Sequence, residues 1–280
     1  IEIPEIDLNL SDVNIEAQKM AGKLSISGVQ PKISVKLNKK NNKIEAVSEG
    51  GEYILKPQSQ TFNHLPENEF TCTVLAEKMG IDVPEFTLIK LKDESFAYIV
   101  KRFDRNNGDK VHVEDFGQVL GKKDKYKGSY EEIGKTLKTI SEIPGLDVQL
   151  LFERILFYYI IGNGDAHLKN FSIRYENEGQ IRLAPAYDIV SSKIVIREEE
   201  DSALTIGGKR NNIKKDDFYS FSEYLGINKK YTEEVFKKYL NTEILLKNII
   251  SINADVSSKL KNIIIERIMN LNRKGKGSGN

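Results

Sequence analysis

The stretch LLFERILFYYII, residues 150–161, runs straight into GNGDAHLKNFSIRY, residues 162–175. A run this apolar reads as a buried helix, because it leaves no polar stripe for water. Its two charged residues are Glu153 and Arg154. The Gly-Asn-Gly turn ends the helix, and an alternating strand pattern begins at Phe171. Between them stand Asp165, His167, Lys169 and Asn170, with only Ala166 and Leu168 apolar. A helix anchored in a core would hold that loop rigidly, which is what polar groups need if they are to do chemistry.

The flanking patterns set the fold class. KISVKL (32–37), IEAV (44–47) and YILKP (53–57) alternate and are separated by Asn-Asn and Gly-Gly turns, so they predict strands. ENEFTCTVLAEKMG (67–80) predicts a helix, with Phe70, Val74, Leu75 and Met79 as its stripe and Gly80 as its cap. EFTLIKLK (85–92) and SFAYIVKRF (95–103) predict a hairpin that turns at Asp93–Glu94. After DRNNGDK (104–110) the pattern becomes helical. SYEEIGKTLKTI (129–140) opens with Ser129 and Glu132 at capping-box spacing, and puts Tyr130, Ile133, Leu137 and Ile140 on one face. A helix over 149–161, a hairpin over 171–175 and 180–185, and helices across 213–271 follow. The tail RKGKGSGN, residues 273–280, reads as disordered. The expectation is α+β: a small β-rich lobe over 1–104, a larger helical lobe over 105–272, and a cleft between them of the kind that ligands favour.

Composition excludes several classes. The 280 residues are 39% hydrophobic, enough for a large core. Lys and Arg number 42 against 41 Asp and Glu, a balance unlike that of a broad nucleic-acid binder. Cys72 is the one cysteine, so neither an internal disulfide nor a CxxC metal site is available, and a reducing, cytoplasmic setting is expected. His64, His112 and His167 are too scattered to suggest a zinc cluster. No apolar run is long enough to span a bilayer, and no signal peptide is visible.

Four features carry chemistry. SISGVQPK (25–32) sets Gly28 in a turn ahead of a strand, where backbone N–H groups suit phosphates; an ordinary turn explains it as well. Lys56 ends the strand YILK, either as a surface lysine or as a phosphate clamp. Asp165 and Asn170 have the D-x-x-x-x-N spacing of protein-kinase catalytic loops, a carboxylate to orient the attacking hydroxyl and an oxygen for Mg²⁺. An Asx-type turn accounts for Asn163, Gly164 and Asp165, but not for Lys169 and Asn170 ahead of a strand. Asp188 in PAYDIV follows the hairpin, where a second Mg²⁺ ligand or a simple turn residue would stand. The order loop, Lys, Asp, Asn, Asp across a β-rich and a helical segment points to phosphoryl transfer.

SISGVQPK, YILKP, NEFTCTVLAEKMGIDVP, VKRFDR, EDFGQVLG, GNGDAHLKNFS and LAPAYDIV together resemble the HipA family of bacterial serine/threonine kinases, toxins of type II toxin–antitoxin modules. The resemblance covers residues 24 to 195 and implies a two-lobed, protein-kinase-like fold. It implies Asp165 as catalytic base, and Asn170 and Asp188 as ligands of Mg²⁺. It implies ATP on Lys56 and on the phosphate loop Ser27, Gly28, Val29, Gln30 and Lys32. Lys101, Arg102 and Phe103 would form the hinge beside adenine, and His167, Lys169 and Tyr187 would flank the nucleotide. Autophosphorylation of Ser25 or Ser27 would place negative charge where ATP phosphates must sit. The implied substrate is a protein of the translation machinery such as an aminoacyl-tRNA synthetase. The implied partner is an antitoxin, a helix-turn-helix DNA-binding protein, so that DNA is met only indirectly.

Two departures bear on this reading. HipA proteins carry a further subdomain before the phosphate loop, where this sequence has only residues 1–23. That resembles the shorter HipT-type kinases, whose missing subdomain comes from a separate small protein; truncation at Ile1 is the competing explanation. Ala166 stands where the family often has Gly or Asp, and is expected to be tolerated. Two alternatives share the same site residues: a small-molecule or lipid kinase, and a non-catalytic nucleotide-binding regulator. REEED (197–201) and KKDKYK (122–127) read as solvated surface loops, and GGKRNNIKK (207–215) as a basic run able to meet DNA or a partner.

Overall fold

The computed structural model describes residues 5–6, 8–20, 31–106, 108–176 and 179–273. Its contacts divide the chain into two compact units: residues 1–71 with 84–111, and residues 72–83 with 112–280.

The first unit is built on one six-stranded sheet. Its elements begin with β1 (Glu5–Ile6), α1 (Leu10–Met20), β2 (Ile33–Asn38), β3 (Lys43–Ala46) and β4 (Tyr53–Pro57). After α2 (Leu65–Lys78), whose residues from Cys72 onward belong to the second unit, come β5 (Phe86–Lys90), β6 (Phe96–Lys101) and the short pair β7 (Arg105–Asn106) and β8 (Asp109–Lys110). The strand order is β1-β3-β2-β4-β6-β5, antiparallel except that β1 runs parallel to β3. The alternating stretches of the sequence fall where expected. Ile33, Val35, Leu55, Ala97 and Ile99 turn to one buried face and pack with Val13 of α1. The strand β1 and the helix α1 had no counterpart in the sequence reading. The predicted helix over 67–80 starts earlier, at Leu65, and ends at Lys78.

The second unit adds β9 (Val113–Asp115), α3 (Phe116–Val119), α4 (Tyr130–Ile140), α5 (Pro144–Ile161), β10 (Ser172–Tyr175) and β11 (Ile181–Leu183). Four helices close it: α6 (Lys215–Tyr224), α7 (Lys229–Tyr239), α8 (Thr242–Asn248) and α9 (Ala254–Asn272). Ser129 caps α4, its hydroxyl accepting from the Glu132 N–H while Glu132 reaches back to the Ser129 N–H. The apolar helix α5 lies at the centre, its residues from Leu151 to Ile161 almost all buried against α4, α7 and α9. It starts at Pro144, five residues ahead of the expected helix, because proline is well suited to the first helical turn. Its two acids, Asp147 and Glu153, are both paired. Buried Asp147 accepts from the Arg182 guanidinium at 2.9 Å and from the Leu183 N–H at 3.0 Å, which ties β11 to the helix. Glu153 accepts from Tyr231, Tyr239 and Lys238.

Gly162 ends α5 in the left-handed region at φ 70°, and its N–H bonds back to Tyr158 and Tyr159 carbonyls. A Cβ there would lie 2.8 Å from Ile263 Cγ2 and 2.9 Å from Lys193 Cβ. Gly162→Ala is therefore expected to cost about 2–4 kcal/mol, from left-handed strain plus overpacking. Urea unfolding should show a lower midpoint at an unchanged slope. Among the described residues, no helix is long and apolar enough to cross a membrane.

Candidate active site

The loop after α5 is pinned by its apolar members. Ala166 and Leu168 point inward and are fully buried. The Tyr130 O–H donates to the Ala166 carbonyl at 3.0 Å, and the Leu168 N–H donates to the Lys125 carbonyl at 3.1 Å. The polar residues between them face the other way. Asp165 is exposed, Lys169 is half-buried, and His167 and Asn170 are only 7% and 8% exposed. The contact at Ala166 runs through its carbonyl, and its small methyl is buried.

Asn170 joins the loop to the segment after β11. Its Oδ1 accepts from the His167 N–H at 3.0 Å, and its Nδ2 donates to Asp188 Oδ2 at 3.2 Å. Asp188 holds φ at 54°, a left-handed backbone that aspartate tolerates better than most residues but still at a cost. Beside it the Tyr187 O–H donates to the Lys169 carbonyl at 2.8 Å and meets Ser172 Oγ at 2.5 Å. Burial pushes the Tyr187 phenol far above its ordinary range, so it stays a neutral donor. His167, Lys169, Asn170, Tyr187 and Asp188 thus share one hydrogen-bonded cluster with Asp165 on the same loop.

Burial lowers the His167 pKa from 6.5, and the nearby Lys125 charge lowers it further, against the pull of Asp165. The folded protein therefore holds fewer protons at His167 than the unfolded chain does. Stability should fall as pH drops below the ordinary histidine value, and His167→Gln should lessen that slope. Urea midpoints at pH 7.5 and pH 5.5 for both proteins measure the effect.

In the first unit, Lys56 is not the surface lysine that alternation allows. It is 5% exposed, and its Nζ lies 2.6 Å from Glu69 Oε1 on α2 and 5.8 Å from the Tyr98 ring centroid. Lys32 precedes β2 and is half-buried. Lys101 is exposed with its Nζ 2.6 Å from Glu85, a hydrogen bond that raises its pKa. Phe103 is half-buried, and Arg102 forks onto Asp104 at 2.9 and 2.7 Å. Ser25, Ser27, Gly28, Val29 and Gln30 lie outside the described residues.

The runs REEED and KKDKYK are largely exposed, as expected of surface loops, but single residues in them and in the basic run GGKRNNIKK make specific contacts. In KKDKYK, the Tyr126 O–H donates to Asp165 Oδ1 at 2.8 Å. In REEED, Glu199 accepts from the Ser192 hydroxyl, Ser192 Oγ in turn accepts from the Gly164 N–H at 2.8 Å, and Asp201 pairs with Arg267. Burial raises the Glu199 pKa, and the charge of Asp165 adds to the rise. A Cβ on Gly164 would lie 2.5 Å from the Glu200 backbone carbonyl oxygen, so glycine is required there. In GGKRNNIKK, Lys209 pairs with Asp217, Arg210 donates to the Tyr126 carbonyl, and Ile213 is buried. Glu69 was also missed. In ENEF it reads as one of two acids suited to a helix start, and only its contact with Lys56 on β4 separates it from Glu67.

The donor set can be tested against a divalent ion. Mg²⁺ is held by oxygen, commonly from one or two protein groups with water and phosphate completing the shell. Asp188 offers a carboxylate and Asn170 an amide oxygen whose second lone pair is open, and these fit. Among the described residues there is no group of three or more His, Cys, Asp or Glu that would form a self-sufficient metal cage.

The HipA-like C-terminal domain family matches residues 24–244. A protein of Sinorhizobium fredii named as a kinase, Y4dM, is 40% identical over 207 residues, 68% of this chain and 50% of its own length. A protein of Haemophilus influenzae named as a kinase is 32% identical over 257 residues, 81% of this chain and 74% of its own. The chain thus spans half the length of the first relative. HipA of Shewanella oneidensis, in a toxin–antitoxin complex with HipB and operator DNA, superimposes with a TM-score of 0.73 at 23% identity. That match covers 88% of this chain and 64% of the HipA chain.

Proposed function

This chain belongs to the family of HipA-like C-terminal domains, and from that premise we propose that it is an ATP- and Mg²⁺-dependent serine/threonine protein kinase. The observation that carries the reading is the Asn170–Asp188 contact at 3.2 Å, on a buried-helix loop that also presents exposed Asp165. Asn170 and Asp188 would hold the metal, which would neutralise charge on the ATP phosphates. Asp165 accepts the proton of the acceptor hydroxyl. Lys56, kept in place by Glu69, contacts the ATP phosphates. A lysine paired with a helix glutamate and a loop aspartate followed five residues later by asparagine are the parts that protein kinases use.

The kinase acts as the toxin of a type II toxin–antitoxin module, with a protein of the translation machinery, such as an aminoacyl-tRNA synthetase, as acceptor. Its partner is a DNA-binding antitoxin, a reading supported by the HipA complex with HipB and DNA. Autophosphorylation at Ser25 or Ser27 silences the enzyme.

The test is incubation with Mg²⁺ and γ-labelled ATP, alone and with a bacterial lysate. A gain of phosphoryl mass mapping to Ser25 or Ser27, together with a discrete labelled protein band, supports the reading. Label confined to small molecules or lipid would reassign the acceptor. No label anywhere would leave a nucleotide-binding regulator.

A further inference from the structure

The loop over residues 122–127 is fastened to the catalytic loop at several points, and Tyr126 is the residue that reaches Asp165. Its O–H donates to Asp165 Oδ1 at 2.8 Å. The ring stands edge-on to His167, with centroids 5.4 Å apart and planes at 80°. The Lys125 ammonium lies 4.9 Å from the same ring's centroid. The Tyr126 N–H donates to Asp124 Oδ1 at 3.0 Å, and its carbonyl accepts from Arg210. Next to it, the Lys125 carbonyl takes the Leu168 N–H. A Cβ on Gly128 would lie 3.0 Å from Leu168 Cδ2, so the two loops are in close contact just beyond.

We propose that Tyr126 is a positioning residue for Asp165, holding Oδ1 so that Oδ2 faces the acceptor hydroxyl. The inference rests on the kinase reading above. Burial and then the bond to Asp165 push the Tyr126 phenol up to about 12, so it remains an O–H donor throughout the neutral range. A carboxylate on an exposed loop residue is otherwise free to rotate, and a rotating base spends little time aligned with the hydroxyl it must deprotonate. In the transfer step the acceptor oxygen bonds to the γ-phosphorus, its proton passes to Asp165 Oδ2, and the bond to the β-bridging oxygen breaks to release ADP. Tyr126 gives up no proton in this sequence and touches no reacting atom. The opposite role would be a gate, with the phenol occupying the place of the acceptor hydroxyl and swinging out when substrate arrives. A gate needs a loose side chain. Here the O–H, the ring and both ends of the residue's backbone have partners, although 38% of Tyr126 is exposed.

The experiment compares wild type and Tyr126→Phe for label transfer from γ-labelled ATP with Mg²⁺ into lysate protein, across ATP concentrations. Phenylalanine keeps the ring against His167 and removes only the O–H. The expected result is a fall of about 10- to 100-fold in rate at saturating ATP. The half-saturating ATP concentration and the thermal unfolding midpoint should stay unchanged. An unchanged rate would overturn the inference, and a faster one would make Tyr126 a gate. A fall accompanied by weaker ATP dependence or a lower midpoint would assign Tyr126 to nucleotide binding or packing instead. If wild type itself transfers nothing, the kinase reading falls and this inference with it.

Discussion

Asp165→Asn is expected to remove the proposed phosphoryl transfer and to leave the folded protein otherwise intact. The expected loss is about 10³-fold, within the range that a positioned general base contributes. Asparagine has nearly the same shape, and its Oδ1 can still accept the Tyr126 O–H that now reaches Asp165. Asp165 is exposed, so the exchange strands no buried charge and should move the unfolding midpoint little. Nucleotide affinity should be kept, because the loop is held by Ala166 and Leu168 rather than by the carboxylate. Label transfer into lysate protein gives the rate, and a fluorescent ATP analogue gives the affinity. Transfer at the wild-type rate would take Asp165 out of the mechanism. Loss of rate together with loss of affinity would make it a nucleotide or metal ligand.

The polar loop was legible because its signals are local. A buried helix, a Gly-Asn-Gly stop and a strand start leave Asp165 to Asn170 only one short segment to occupy, and Gly162 at φ 70° ends α5 where that pattern requires. Asp188 followed from order along the chain, after a hairpin whose alternation was plain. What stayed hidden depends on distance in sequence. Glu69 meets Lys56 from another element, 13 positions away, and nothing in ENEF separates it from Glu67. Tyr126 and Glu199 sit in charged runs, and a charged run reads as solvated whatever it docks against. Tyr126 is 39 positions from Asp165, and Arg267 is 66 positions from Asp201. The strand β1 is two residues long and finds its place only by lying parallel to β3, which no local alternation can announce.

Lys56→Met should cost about 3–5 kcal/mol of stability, the usual penalty for removing one member of a buried ion pair. Lys56 and Glu69 are both buried and 2.6 Å apart, so water screens neither. Phosphoryl transfer should fall as well, because the ammonium is the proposed contact to the ATP phosphates. The single variant cannot divide the two effects, since a destabilised protein also loses activity. The double variant Lys56→Met, Glu69→Met does. Apolar replacement of both members of a buried pair is often neutral or better for folding, so urea unfolding should show the double variant more stable than Lys56→Met alone. Transfer should stay lost, because restoring the packing does not restore the cation. Recovery of both stability and transfer would limit the pair to holding α2 against β4. Recovery of stability alone would place the cation in the chemistry, with Glu69 as the group that keeps it buried and aimed.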